Sequence, residues 1–395
     1  MSGSWPNHEE WLSRLVAFPT IAGGTNLDLV EHVRDALDGI GVPVSVGYDP
    51  TGTRADMLFT LGRQDEPGLL LSGHSDVVPV AGQDWTSDPF SLTLVNDRLV
   101  GRGACDMKGF LACVLASVPA MQAARLHWPI HVGISYDEEL GCKGAPALVS
   151  RLKAELHNLP AGCIVGEPTG MKLVDAHKGK GGWRCIITGR AGHSALTHQG
   201  VNAVIAAAEL IQFIRRLHDG FTLHGPIAEG FVPPHTTASV GRIEGGGQLN
   251  IIPEHCEFAF EFRTIPGEDP AGWFGRVVDY AEQEMLPGMR AVAPEASIRF
   301  VELIAYPGLK PVRDLPFRRL VQDLAEPGSA GKVAYGTDGG VIAAAGIPTL
   351  ICGPGDMSVA HKPDEWIAPG QLSACMAFLD RLIAASVDQV SLDPV

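Results

Sequence analysis

None of the eight cysteines in this 395-residue sequence stands in a C-x-x-C pair, so neither a zinc ribbon nor a dithiol redox motif is written in it. They are scattered (Cys105, Cys113, Cys142, Cys163, Cys185, Cys256, Cys352, Cys375) and read as reduced core thiols of a cytoplasmic protein. No apolar run approaches the roughly 18 residues that a membrane helix needs. The first dozen residues carry acids and no apolar core, which argues against a signal peptide. Positive charge is scarce: 30 Lys and Arg against 45 Asp and Glu leave a net charge of -15. Such a surface argues against nucleic acid or anionic membrane as a partner, because both need a basic face. Nucleotide fingerprints are missing as well. Gly101-Arg-Gly103 lacks a third glycine, and Gly331-Lys332 is followed by Val333 where a P-loop needs Ser or Thr. There is no G-x-S-x-G elbow, no repeat, no coiled-coil heptad and no low-complexity tract.

What the chain does have is length for two or three domains and apolar residues enough for a large core. Four apolar runs, at 68–72, 130–136, 163–165 and 349–352, each stop at a turn with glycine or a polar residue: Gly73-His74, Asp137, Gly166-Glu167 and Gly353. Continuous apolar runs predict strands buried on both faces. Helical patterns at 26–40, 108–124 and 144–156 lie between them, which is the alternation of an α/β domain. A last helix, 370–387, places Leu372, Cys375, Met376, Leu379 and Leu382 on one stripe that returns to this domain. The middle differs: strand 183–188, helix 201–217, strands 237–243 and 256–262, helix 271–285, strand 298–302. This β-α-β-β-α-β order is the ferredoxin-like signature. Glycine and proline cluster at 178–182 and 306–308, so the expected division is an inserted domain, 181–304, within a discontinuous one, 1–180 and 305–395.

Ligands of α/β sheets gather where the strands end. There stand His74, Asp76, Asp106, Glu138, Glu139 and Glu167, with His361 after the late strand. Two imidazoles and three carboxylates suit a pair of divalent first-row metals, one carboxylate bridging and zinc the commonest choice. Two such ions can activate a shared water and polarise a carbonyl together. Adjacent side chains on extended backbone point to opposite sides, so one of Glu138 and Glu139 would hold a metal while the other faces the water. In His74-Ser75-Asp76 the second acid can turn back onto the imidazole and fix its tautomer. Asp106, just before a helix that starts near Met107, reads first as an N-cap when taken alone. His131, His177, His198, His235 and His255 lie in strand or turn patterns and read as solvated or satisfied side chains. Cys105 lacks a base partner and reads as structural.

Six segments, Ser72-Gly-His-Ser-Asp-Val-Val-Pro79, Gly101-Arg-Gly-Ala-Cys-Asp-Met-Lys-Gly109, Asp137-Glu-Glu-Leu-Gly-Cys142, Gly166-Glu-Pro168, Gly192-His-Ser194 and Ala360-His-Lys-Pro-Asp-Glu365, carry a resemblance that runs nearly end to end. The chain resembles the acetylornithine deacetylase and succinyl-diaminopimelate desuccinylase family of dinuclear zinc aminoacylases and carboxypeptidases. The resemblance implies a zinc-peptidase-like three-layer α/β catalytic domain interrupted by a ferredoxin-like lid that dimerises. It implies two zinc ions per subunit, replaceable by cobalt, held by His74, Glu139, Glu167 and His361 with Asp106 bridging. Glu138 would be the general acid/base, and Asp76 the carboxylate behind His74. It further implies that His193 reaches across the dimer to the substrate carbonyl, and that Asn250 and Arg263 hold the substrate carboxylate.

Within the family, residues 105–111, 353–355 and 361–365 look most like acetylornithine deacetylases, which release acetate from N-acetylornithine in arginine biosynthesis. The sequence departs from them at Thr337-Asp-Gly-Gly340, where many have Thr-Glu-Ala-Gly, and the shorter acid could alter which acyl amino acid fits. A desuccinylase, dipeptidase or carboxypeptidase would use the same site, and a binding protein that has lost chemistry is the reading from another class. Asp137 is left without a role.

Overall fold

The computed structural model describes residues 5–63, 65–312 and 315–392. The chain divides into two compact units. One comprises the residues up to Ala176 together with Lys310–Gly331 and the residues from Thr337 on; the other comprises His177–Leu309 and Lys332–Gly336. Each has its own apolar core.

The first unit is built on an eight-stranded mixed sheet. In spatial order its strands are Ser45–Tyr48, Ala55–Leu61, Ile130–Ser135, Leu69–His74, Gly162–Val165, Thr349–Ile351, Lys172–His177 and Glu326–Val333. Its centre is parallel: Leu69–His74 pairs in parallel with both Ile130–Ser135 and Gly162–Val165, and the latter with Thr349–Ile351. Those four strands are buried at every position, as their continuous apolar runs require. On one face, Leu69, Leu71, Ile130 and Val132 share a core with the helices His8–Val16, Leu27–Asp38, Lys108–Ala123, Pro316–Leu324 and Pro369–Val387. On the other, Leu70 and Gly133 lie against Leu148 of the helix Ala145–Glu155, which packs on Asp338–Ala344. The result is the three-layer α/β arrangement. The flanking strands Ser45–Tyr48, Ala55–Leu61, Lys172–His177 and Glu326–Val333 are additions that the apolar runs did not announce.

The second unit is a four-stranded antiparallel sheet in the order Thr237–Gly245, His255–Thr264, Gly179–Thr188, Ser297–Tyr306. With the helices Ala203–His224 and Pro270–Tyr280 it has the ferredoxin-like topology. His255–Thr264 alternates cleanly, burying Cys256, Phe258, Phe260 and Phe262. Trp183 stacks on Phe274 with ring centroids 4.3 Å apart, joining the sheet to the helix. The second helix runs on through a π turn, Ala281–Met285, into Leu286–Val292, further than its sequence pattern suggests. All eight cysteines are free and buried. Among the described residues, no helix is long and apolar enough to cross a membrane.

Candidate metal centre

The central strand Leu69–His74 ends on a buried imidazole. His74 Nδ1 donates to the Asp76 carbonyl at 2.9 Å, which fixes the tautomer and turns Nε2 toward two carboxylates. Asp106 Oδ1 lies 3.2 Å from that nitrogen and Glu167 Oε1 3.6 Å. The H-x-D spacing therefore works through the main chain, and the Asp76 carboxylate stands farther off, at 3.5 Å. That carboxylate has other work: its two oxygens accept the backbone N–H groups of Glu138 and Glu139, each at 3.2 Å.

Glu138 and Glu139 do not lie on extended backbone. The strand stops at Ser135, Asp137 takes φ of 52°, and the N–H groups of Gly141 and Cys142 both reach the Glu138 carbonyl at 2.8 Å. Gly141, at φ 97°, closes a turn that an L side chain would strain. Both carboxylates thus project from a turn. Asp137 anchors this turn, its carboxylate accepting the Gly23 N–H at 2.7 Å and pairing with Arg54 Nη1 at 2.6 Å.

Asp106 does not cap the helix Lys108–Ala123. The N-cap position is Met107, no side chain caps it, and the Asp106–Met107 peptide is cis. Its carboxylate instead lies between two imidazoles, with Oδ2 3.2 Å from His361 Nε2. His361, half exposed and at φ 62°, also meets Glu139 Oε2 at 3.0 Å. Glu167 is brought in by Gly166, where a Cβ would fall 2.0 Å from the Phe110 ring. Ligand atoms of His74, Asp106 and Glu139 lie within 4.8 Å of one another, as do those of His74, Glu138 and Glu167. The five side chains expected to hold metal, with Glu138 beside them, come together in one cluster.

The electrostatics of that cluster call for cations. Burial, then the neighbouring Asp106 charge, pushes Glu139 up to about 7 and Glu167 up to about 8. Glu138 rises well above the carboxylate range through burial and the Glu167 charge. Burial would raise Asp106 too, but hydrogen bonds from His361 and His74 hold it below its ordinary value. The hydrogen bonds of His361 to Asp106 and Glu139 raise the imidazole to about 10. Among the described residues, no Lys or Arg side chain bonds to Asp106, Glu138, Glu139 or Glu167. Oxygen and imidazole donors in this proportion, without a thiolate, fit a pair of divalent first-row ions.

A further acid adjoins Glu138. Asp338 accepts the Ser135 hydroxyl at 2.6 Å, and burial pushes it up to about 6. Cys142 lies between the two, its thiol 3.6 Å from Glu138 Oε1. Sequence reading registers Asp338 only as a departure from a motif; Ser135 and Cys142, an ordinary strand end and a buried thiol, give no signal of their own. Cys105 is engaged with the Asp356 carbonyl, and burial raises its thiol far above the usual range.

The second unit holds the remaining candidates. His193 and Asn250 come together in a small ribbon in which Gly192–His193 pairs with Ile251–Ile252; both side chains are exposed, and the Ser194 N–H reaches the Asn250 carbonyl. Arg263 lies elsewhere, on the sheet, paired with Glu261 at 2.9 Å. His131 is a core residue bonded to Thr60 at 2.9 Å, and His198 and His255 are exposed.

Clustered carboxylates and imidazoles at the ends of parallel strands, on a three-layer α/β sheet, are the apparatus of a metal-dependent hydrolase. Peptidase family M20/M25/M40 matches residues 70–385, and the chain belongs to it. Acetylornithine deacetylase from Myxococcus xanthus is 34% identical over 97% of this chain and 98% of that enzyme. The enzyme of the same name from Pasteurella multocida is 28% identical over 96% and 97%. Among solved structures, an M20 family metallo-carboxypeptidase from Sulfolobus solfataricus has a TM-score of 0.78 at 18% identity, covering 97% of this chain and all of that one. A dinuclear metal binding peptidase of the family from Bacillus subtilis has a TM-score of 0.64 at 16% identity, over 98% and 99%. The protein is a metal-dependent hydrolase of this family.

Proposed function

We propose that the protein cleaves the amide bond of an N-acyl amino acid, and that its substrate is N-acetylornithine, giving ornithine and acetate for arginine biosynthesis in the cytoplasm. The observation that carries the chemistry is the clustering of His74, Asp106, Glu139, Glu167 and His361 with Glu138 beside them. The substrate rests on the curated relatives, which bear the name acetylornithine deacetylase over nearly the whole chain.

His74, Glu139, Glu167 and His361 would hold two zinc ions, with cobalt a substitute, and Asp106 would bridge them. When bound, such a pair lowers the pKa of water and polarises the scissile carbonyl. Glu138 takes the proton of the attacking water on its carboxylate and delivers it to the departing nitrogen, so one residue is base and then acid. Burial and the Glu167 charge, which disfavour its ionised form, suit it to both halves of that transfer. Asp76 orients His74 through its carbonyl, and the Glu138-Glu139 turn through its carboxylate. In the second unit, His193 would donate to the developing oxyanion from the partner subunit of a homodimer. Asn250 and Arg263 would hold the substrate carboxylate, Arg263 exchanging Glu261 for it.

A peptidase reading has its own support, because the structural neighbours include peptidases, such as the aminopeptidase PepT from Bacillus cereus at a TM-score of 0.70. A panel of N-acetylornithine, N-acetylmethionine, N-succinyl-diaminopimelate and a dipeptide, assayed with zinc or cobalt, decides between them. The proposal expects the highest kcat/KM on N-acetylornithine. Turnover of the dipeptide alone would replace it with the peptidase reading.

A further inference from the structure

His361 is the odd member of the cluster. Its side chain is 50% exposed whereas that of His74 is 1% exposed, and its backbone occupies the left-handed region. Among the described residues, no hydrogen bond reaches its Nδ1, the atom by which a ligating histidine is usually oriented. Some other contact must hold it at the carboxylates.

That contact is made through the main chain. The His361 carbonyl accepts from Gln83 Nε2 at 3.1 Å, and the next carbonyl, of Lys362, accepts from Arg102 Nη1 at 3.3 Å. Arg102 Nη2 donates to Gln83 Oε1, so one guanidinium braces both. The same Nη1 pairs with Glu365 Oε2 at 2.7 Å, and both side chains are almost wholly buried. Glu365 Oε1 in turn accepts the backbone N–H of Asp106 at 2.9 Å. One connected network therefore reaches the backbone of His361 at one end and of Asp106 at the other. These are the residues whose side chains meet at 3.2 Å in the cluster. Burying an ion pair this deeply is a poor route to stability, since desolvation offsets the attraction. Its placement gives it a different use.

We propose that Gln83, Arg102 and Glu365 are positioning residues that set the distance between Asp106 and His361, and so tune affinity for the one metal ion these two share. The inference rests on the ligand assignment proposed above. Outer partners of this kind change metal affinity by about 10- to 100-fold.

The test is zinc binding by the metal-free protein, measured in competition with a chromophoric chelator, alongside its thermal midpoint. Gln83→Ala removes the link to the His361 carbonyl, together with the acceptor that Gln83 offers Arg102 and Trp85, and leaves the buried Arg102–Glu365 pair in place. It should weaken one of two zinc ions by about tenfold or more, leave the other as in wild type, and leave the metal-free midpoint unchanged. Glu365→Gln should weaken the same ion at least as much. Wild-type affinity for both ions in both variants overturns the proposal, as does a Gln83→Ala protein that loses both ions equally with a lowered midpoint. His361→Ala is the reference: if it binds two ions as tightly as wild type, the ligand assignment itself fails. If it loses one ion while Gln83→Ala loses none, only the bracing role fails.

Discussion

The Asp76 carboxylate accepts the backbone N–H of Glu138 at 3.2 Å, tying a loop after one strand to the turn after its neighbour. Its other oxygen holds the N–H of Glu139 at the same distance, and its own carbonyl orients His74. One residue thus governs the placement of three members of the cluster without having to bind metal itself.

Replacing Asp76 with alanine leaves the His74 tautomer in place but frees the turn. Zinc affinity should fall about 10- to 100-fold, with kcat falling as well. Titration of the metal-free variant with zinc checks this; an unchanged affinity would refute the anchoring role.

Glu138→Ala removes the proposed acid/base and none of the proposed metal ligands. Turnover should drop by about 10²- to 10⁴-fold while zinc content stays at the wild-type level. The two measurements, kcat and metal stoichiometry, are made on one preparation. A variant that loses its metal along with its activity would reassign Glu138 as a ligand.

His131 supplies a pH dependence remote from the cluster. Burial lowers this core imidazole to about 4 from an unfolded value near 6.5, so it is held neutral in the fold. A depressed folded value means that the stabilisation is complete above pH 6.5 and is lost as pH falls toward 4. The loss amounts to about 3 kcal/mol. Urea midpoints of the metal-free protein at pH 7.5 and 4.5 should fall more steeply for wild type than for His131→Gln, which keeps a partner for Thr60. Parallel slopes would contradict the assignment.

If His193 serves the neighbouring subunit, mixing inactive His193→Ala and Glu138→Ala proteins should restore activity through heterodimers. Recovery after verified subunit exchange is the expected result. Its absence would mean that His193 acts within its own chain or not at all.

Much of the cluster is legible in the sequence because chemistry-bearing residues are stationed where apolar runs end. His74, Glu167 and the Glu138-Glu139 pair stand at or just beyond the ends of strands that are buried at every position, and the ferredoxin-like order is written in the spacing of the second unit. Main-chain contacts are not legible. Nothing in His74-Ser75-Asp76 says that the carbonyl, and not the carboxylate, takes the imidazole. Similarly, an acid just ahead of a helical pattern looks like a cap until the helix is seen to start at Lys108, with Met107 at the N-cap position and the Asp106 carboxylate between His74 and His361. The resemblance separated Glu138 from Glu139, since both leave the same turn and alternation along a strand does not apply to them. Asp137, without a role in sequence, is a structural anchor because Arg54 and Gly23 reach it across the fold.

The strand Thr349–Ile351 is made late in synthesis yet lies in the interior of the sheet, between Gly162–Val165 and Lys172–His177. A chain emerging from the ribosome therefore carries a gap in its central sheet until more than three quarters of it exists. His361 joins Glu139 at a sequence separation of 222, so the metal centre is among the last features to form. Non-local pairing of this kind slows folding and leaves strand edges open meanwhile. A truncated chain ending before this strand would lack both the closing strand and His361, and would be prone to aggregate without ever acquiring a complete centre.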